Sequence, residues 1–391
     1  MMSSNQDRKL VLITGTRPEI IKLYPIMRLL DQDNIDYTFI HTGQHHDYNL
    51  FLNFIKEFGI KKADYTIKLE NPNDSIQQFS EILSGIGHVF KECRPSSIIT
   101  VGDTNSVAAA ALAGSKAKIP VMHIEAGLRS YDWRMPEEYN RRMTDHISDV
   151  LFAPTTESAM ILSNEQVQGK IYTVGNTVLD AVRLCLHSSP ENHGNDQETK
   201  NSTSSEGFTN QLKKYTLLTL HREENVDNPD ILKRIFGVLS HLDINCIFPV
   251  HPRTLKRIQQ YGLGHHIGKN INIIDPVGYH DFLRLLRNCQ FVITDSGGIQ
   301  EEITSPFINK RALIFRDSTE RKESIASGHS ILCSLDYFAM VESIKRILSS
   351  QPIFSKSPYG DGHAAEKIVE ILKKEPITPL AKKVISKYIQ V

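Results

Sequence analysis

The chain carries no excess charge of either sign, with 45 Lys and Arg against 45 Asp and Glu in 391 residues. That balance leaves no global field to draw it onto nucleic acid or an acidic membrane, and no long basic run appears locally. Its five cysteines, Cys93, Cys185, Cys246, Cys289 and Cys333, are odd in number and scattered, with no C-x-x-C pair. A disulfide frame and a zinc ribbon are thereby excluded, and free thiols in a reducing compartment are expected. The most apolar stretch, VAAAALAG, falls far short of a membrane span, and the opening MMSSNQDRKL has no apolar core for a signal peptide. A soluble cytoplasmic protein is expected. No G-x-G-x-x-G follows a strand, and neither G-x-x-x-x-G-K-[ST] nor H-E-x-x-H occurs. Nicotinamide, P-loop and metal chemistry are therefore not expected, and neither a metal nor a redox cofactor is called for.

What is present is alternation. The apolar run 9–13 ends in the turn Gly15-Thr16, and a helical pattern opens near Pro18. Further strands are predicted at 37–41, 97–101, 121–124 and 150–152, with helices near 49–58, 75–91, 106–115, 137–148 and 157–163. After the polar run 188–207, read as a flexible insertion or linker, strands at 216–220, 246–250, 271–274, 291–294 and 312–315 alternate with helices again. Such β–α alternation implies parallel sheets covered on both faces. The length suits two doubly wound domains, residues 1–187 and 208–362, with a ligand in the crevice between them.

The densest chemistry lies in VMHIEAGLRSYDWRMPEEYNRRMTDHISD, residues 121–149. Glu125 ends a buried strand, Arg129, Arg134 and Trp133 follow, and Pro136 suits the first position of a helix. On that helix Glu137 and Arg141 fall four apart, as do Glu138 and Arg142. Taken singly, each pair reads as a solvated helix face. Taken together, a strand-end carboxylate facing a helix amino end marks a ligand crevice.

Anion handling is written in two β–α turns. TDSGGIQEE sets Ser296, Gly297 and Gly298 between a strand and a helix, where free N–H groups meet an anion. Glu302, one turn on, is placed to accept from a ribose hydroxyl. GTRPEIIK offers Arg17 as a phosphate fork, with Lys22 one turn into the helix. RDSTERKES adds further charges after a strand. Together these describe a diphosphate-bearing ligand, a nucleotide. Four other strand ends present ionisable groups: Asp103, Glu125, His221 and His251.

GTRPEIIK, TGQH, GDTNS, HIEAGLRS, MPEEYNRR, GNTV, LHREEN, HPRT, DPVGY, TDSGGIQEE, TER and PYGDG follow one another from near residue 15 to residue 362. In these motifs the chain resembles the non-hydrolysing UDP-N-acetylglucosamine 2-epimerases, particularly their archaeal-like branch, across both domains. The resemblance implies an α/β fold of two Rossmann-like doubly wound domains in a GT-B arrangement, with the active site in the interdomain cleft. It makes 208–362 the UDP-binding domain and 363–391 helices packing back toward the first domain. It further implies a UDP-sugar substrate, a homodimer, and a product destined for a surface polysaccharide or glycan.

Residue by residue, Arg17, Ser296, Gly297, Gly298 and Glu302 match diphosphate and ribose contacts of that family. Phe282 matches a residue near the uracil, although its spacing suits a core aromatic equally. Asp103, Glu125, Glu137 and His221 match positions needed for catalysis, and Lys22, Arg141 and Arg321 match supporting cations. His251 is counted among the substrate-binding groups. The implied reaction expels UDP from C1 while the C2 proton is removed, giving 2-acetamidoglucal, and UDP then adds back with a proton arriving on the other face. Which of Asp103, Glu125 and Glu137 removes the proton and which returns it stays open, as does whether His221 stabilises charge or moves a proton.

Two departures stand out. TERPE of the family reads TERKE here, and 305–311, SPFINKR, replaces a small-residue, Gly-Lys-Pro turn. Gln44 and His45 are present where some relatives bind an activating second substrate. Four other readings compete. A UDP-2,3-diacetamido-glucuronate 2-epimerase shares GDTNS, MPEE and HPRT. A hydrolysing epimerase is disfavoured by Pro18-Glu19, where those enzymes carry Ala-Asp-Tyr. A GT-B glycosyltransferase needs an acceptor site, and a sugar-nucleotide sensor has little use for so many acid/base groups.

Overall fold

A computed structural model describes residues 9–44, 55–187, 214–242, 244–353 and 355–374. The polar run 188–207, His45, the first part (49–54) of the helix predicted near 49–58, and the chain after residue 374 lie outside the described residues. Two compact units emerge: Met1–Ala181 with Tyr359–Val391, and Val182–Pro358. The limits follow from hydrogen bonding. Asn176 N–H donates to the Tyr359 carbonyl at 2.9 Å, and the Asp180 carboxyl accepts from the backbone of Ala364 and Ala365 at 3.1 and 2.9 Å. Asp180 thus caps the helix Ala364–Lys374, which packs on the helix Arg17–Gln32 and pairs Lys373 with Asp33.

In the first unit the strands β1 (Leu10–Thr14), β2 (Tyr37–His41), β3 (Tyr65–Thr66), β4 (Ser97–Val101), β5 (Val121–Ile124), β6 (Val150–Ala153) and β7 (Lys170–Thr173) form one parallel sheet. Its order is β3-β2-β1-β4-β5-β6-β7. The inner strands β1, β4, β5 and β6 are almost continuously apolar and buried, as a sheet with both faces covered requires. Helices Ser75–Cys93 and Asn105–Ala117 pack against each other, their Ile82, Ile86 and Ala109–Ala111 side chains closing one core with Val11, Ile13 and Ile98.

The second unit repeats the plan. Strands β8 (Thr216–Thr219), β9 (Cys246–Pro249), β10 (Ile271–Ile274), β11 (Val292–Thr294), β12 (Ala312–Phe315) and β13 (Ser330–Cys333) pair in parallel in the order β10-β9-β8-β11-β12-β13. Leu218, Phe236, Phe248, Phe291 and Phe315 anchor its core. Each order reverses direction at one place, β1 beside β4 in the first sheet and β8 beside β11 in the second. Loops that leave the carboxyl ends of such neighbouring strands diverge and open a crevice, the place where open parallel sheets take ligands. All five cysteines are buried free thiols, and among the described residues no helix is long and apolar enough to cross a membrane.

Candidate active site

At the first switch point, β1 runs into Gly15-Thr16-Arg17 and β4 into Gly102-Asp103. Glu19 joins the two loops. One of its oxygens accepts from Gly15 N–H at 2.6 Å and Thr16 N–H at 3.2 Å, and the other from the Thr104 hydroxyl at 2.5 Å. Burial pushes this carboxyl up to about 7, against the pull of those hydrogen bonds. Arg17 sits exposed at the opening of its helix, whose amino end carries the positive dipole.

Asp103 sits over Arg141, whose Nη2 donates to its carboxylate at 2.5 Å. Arg141 also donates to Glu138 at 2.8 Å. Glu138 in turn accepts from Ser130 N–H at 3.0 Å and from Arg142 Nε at 3.0 Å. Burial works against ionisation of Glu138, but the Ser130 hydrogen bonds and the two arginines outweigh it and hold its carboxyl below the usual range. The solvated helix face expected for each i,i+4 pair is therefore corrected. The 129–130 segment folds over the helix Pro136–Ile147, the Glu138 side chain is 0 % exposed, and it serves Arg141 as well as Arg142. Glu137, half-buried, occupies the first turn of the same helix.

Glu125 directly follows β5 with φ of 69°, left-handed backbone that a glutamate adopts only when its surroundings demand it. The Lys22 ammonium at 2.5 Å and the Asn176 amide at 3.0 Å both meet its Oε1. Lys22 lies buried against this carboxylate, on the helix that Arg17 opens. Behind them His123 spans Asp145 and the Gly102 carbonyl at 2.7 and 2.8 Å, while Arg129 bridges Asp145 and Glu165 at 2.7 and 2.6 Å. Burial opposes charge on Asp145, yet His123 and Arg129 hold it below the ordinary carboxylate range.

At the second switch point His221 follows β8, and Asp295 and Ser296 follow β11. Ser296 N–H donates to Thr294 Oγ1 at 3.0 Å, and Ser296 precedes the helix Gly297–Glu302. A Cβ on Gly297 would meet Glu320 Oε1 at 3.0 Å and Arg321 Nη1 at 3.3 Å, whereas one on Gly298 would meet no protein atom within 4 Å. Arg321 is buried, paired with Glu320 and, at 3.0 Å, with Glu301. Tyr279 donates its hydroxyl to Glu302 at 2.9 Å, and Phe282 lies half-buried on the same helix, Tyr279–Asn288. His251, after β9, accepts from Arg253 N–H at 3.2 Å and so caps the helix Pro252–Gln260.

The sequence departures are absorbed locally. Lys322 takes the first position of the helix Lys322–Ala326, where proline is favoured but not required. Asn309, within the second departure, takes φ of 48°, a left-handed conformation asparagine tolerates better than most residues. Gln44 accepts from Ser106 N–H at 2.9 Å.

Glu19, Glu138 and Asp295 have no place among the site residues expected from the sequence, although Glu138 is paired there with Arg142. Glu19 had a signal in the capping-box spacing Thr16 to Glu19. Asp295 had one in its place between a strand and a glycine turn. The burial of Glu138 depends on the fold of the preceding loop and had none.

The chain is an α/β fold of two doubly wound units, with charged groups gathered at both switch points. This architecture is shared at the level of fold alone with Acinetobacter baumannii MurG, at a TM-score of 0.56 and 10% identity, and is of the GT-B type. The family model described as UDP-N-acetylglucosamine 2-epimerase matches residues 28–373, and the chain belongs to that family. A Methanocaldococcus jannaschii protein named UDP-N-acetylglucosamine 2-epimerase is 40% identical over 371 residues, 93% of this chain and 98% of that one. A crystal structure from the same organism, in complex with UDP-GlcNAc and UDP, superposes with a TM-score of 0.83 at 39% identity, covering 94% of this chain and 100% of the other. A Pseudomonas aeruginosa protein named UDP-2,3-diacetamido-2,3-dideoxy-D-glucuronate 2-epimerase is 35% identical over 373 residues, 94% of this chain and 99% of that one.

Proposed function

We propose that this chain interconverts UDP-N-acetylglucosamine and UDP-N-acetylmannosamine without hydrolysis. The observation that carries the reading is its 40% identity, over 371 residues, to the Methanocaldococcus jannaschii epimerase. The chemistry follows from the sugar. Hydrogen at C2 is not acidic while C1 bears the diphosphate ester, so inversion needs the C1–O bond to break as the C2 proton leaves. Electrons of the C2–H bond become the C1–C2 double bond, those of the C1–O bond depart with UDP, and the proton passes to a carboxylate. Re-addition of UDP at C1 with protonation at the opposite face of C2 completes the exchange.

In the first unit, Asp103, Glu125 and Glu137 are the groups proposed to take and return the proton. Arg141 fixes Asp103, and Lys22 fixes Glu125. Arg17 and the Ser296–Gly298 turn supply donors for the charge that grows on the departing diphosphate. Glu302 and Phe282 take the ribose and uracil, Arg321 supports the turn through Glu301 and Glu320, and His221 and His251 line the nucleotide side. No cofactor is required in this reaction, because the carbon that is inverted returns to its starting oxidation state. A homodimer in the cytoplasm is the form we assign to it, the latter supported by five buried free thiols.

The test is incubation with UDP-N-acetylglucosamine in D2O. Deuterium at C2 together with UDP-N-acetylmannosamine is the expected result. Free N-acetylmannosamine plus UDP would instead mark a hydrolase, and the absence of any change would remove the epimerase reading. The P. aeruginosa relative, at 35% identity, makes the diacetamido-glucuronate ester a second substrate to run in parallel. Light scattering after gel filtration checks the dimer.

A further inference from the structure

Two histidines follow neighbouring strands of the second unit, their rings 6.3 Å apart, and their Nδ1 atoms meet opposite kinds of partner. His251 receives an N–H at Nδ1, from Arg253, so in its neutral ring the hydrogen belongs on Nε2. His221 meets an acceptor instead. Its Nδ1 lies 3.0 Å from Oδ1 of Asp295, a carboxylate whose side chain is 0 % exposed while that of His221 is 41 % exposed.

Asp295 is built to stay ionised. Its oxygens accept from His221 N–H at 3.1 and 3.2 Å, from Arg222 N–H at 3.1 Å and from Asn225 Nδ2 at 3.1 Å. Burial alone would raise its pKa, but these donors and His221 overcome it and hold the group below the ordinary carboxylate value. An ionised carboxylate has no hydrogen to give, so Nδ1 of His221 must carry one, whatever the charge of the ring.

We infer that Asp295 is the positioning residue of His221: it fixes the ring with Nδ1–H inward and presents Nε2 as the one nitrogen offered to substrate. This rests on the epimerase reading above and adds a residue to it. Asp295 directly precedes Ser296, and by gripping His221 and Arg222 it locks the loop after β8 to the anion turn after β11. One buried carboxylate therefore sets both the position and the hydrogen placement of the histidine relative to the diphosphate donors. Replacement of such a carboxylate by its amide keeps one side-chain oxygen to accept the backbone N–H groups of His221 and Arg222 but turns an N–H toward Nδ1, which reverses the tautomer and in comparable dyads costs several powers of ten in rate.

The experiment is long-range 15N–1H correlation on His-labelled full-length protein, with turnover measured alongside. In the wild type, His221 is expected as the Nδ1–H tautomer and His251 as Nε2–H, an internal control of opposite sign. In Asp295→Asn, His221 is expected to switch to Nε2–H, with kcat down by at least ~100-fold and KM changed far less. Asp295→Glu, which keeps the charge, is expected to retain the tautomer and recover part of kcat. A wild-type His221 in the Nε2–H form overturns the inference, and needs no variant to fold. So does an Asp295→Asn protein that keeps the Nδ1–H form or turns over normally. Should the wild type fail to epimerise while the tautomer still switches in Asp295→Asn, the inference about the pair stands and the functional reading falls.

Discussion

The ammonium of Lys22 lies 2.5 Å from Oε1 of Glu125, with side-chain exposures of 8 % and 3 %. The pair joins the helix after β1 to the end of β5, two elements separated by β4 in the sheet. Breaking a buried ion pair by neutralising one member costs about 3–5 kcal/mol, because the remaining charge stays desolvated. Glu125→Gln is therefore expected to lose stability of that order in urea denaturation and to lose turnover. Adding Lys22→Met should restore much of the stability without restoring activity. If the double variant is as unstable as Glu125→Gln alone, the pair is not what holds Glu125.

Asp103 offers the cleaner separation of chemistry from folding. Its side chain is 25 % exposed, and when it is replaced Arg141 still has Glu138 at 2.8 Å. Asp103→Asn is expected to cost only about 1 kcal/mol of stability. Turnover should fall by roughly 100-fold or more, as for loss of a proton-transferring group, with UDP affinity kept. Calorimetric titration with UDP beside the D2O assay reads both quantities. Arg141→Lys should harm more than its charge suggests, since one ammonium cannot reach Asp103 and Glu138 in the geometry of the guanidinium fork.

The parallel sheets were legible because β1, β4, β5, β6, β8 and β12 are short apolar runs that end in turn residues, and the helices between them keep helical spacing. The strand-end positions of Asp103, Glu125, His221 and His251 could be read for the same reason. Pairing across the fold could not. That Lys22 meets Glu125, 103 residues away, depends on which strands are neighbours, and sheet order is not written in local periodicity. The burial of Glu138 depends on the path of the loop through Ser130, and nothing in local periodicity marks the left-handed backbone at Glu125. Glu19 and Asp295 make one point in two places. Each is a buried acid that ties together the two loops of a switch point, and although each has a local sequence signal, that tying role follows only from the strand order.

Glu19 gives a pH signature. Its folded value of about 7 lies above the ordinary 4.5, so the folded protein binds the extra proton. That contribution to stability is fully present below about 4.5 and is lost as the pH rises through 7, an effect on the order of 3 kcal/mol. Glu19→Gln carries an amide that can accept from Gly15 and Thr16 and donate to Thr104, so it should fold. Compared at pH 5, 6, 7 and 8, the wild type is expected to lose stability relative to Glu19→Gln as pH rises. Parallel stability curves for the two proteins would assign Glu19 an ordinary pKa. The depressed carboxyls Glu138, Asp145 and Asp295 do not interfere, because their contribution is lost in the opposite direction, as pH falls below their ordinary range.

Gly297 and Gly298 stand side by side, and the space around them differs. A Cβ at Gly297 would press on Glu320 and Arg321 at 3.0 and 3.3 Å, so Gly297→Ala has to displace a buried ion network. It is expected to cost about 1–3 kcal/mol, the usual range for overpacking, and to weaken UDP binding through the shifted turn. At Gly298 an added Cβ meets no protein atom, and alanine is the better helix former by roughly 1 kcal/mol. Gly298→Ala should therefore be as stable as the wild type or slightly more so. If the diphosphate approaches the backbone of this turn, as proposed, that methyl group still stands in its path, and UDP affinity falls while the melting temperature holds or rises. Titration of UDP into both variants decides the matter: a Gly298→Ala protein that binds UDP as tightly as the wild type would move the diphosphate away from the Ser296–Gly298 turn.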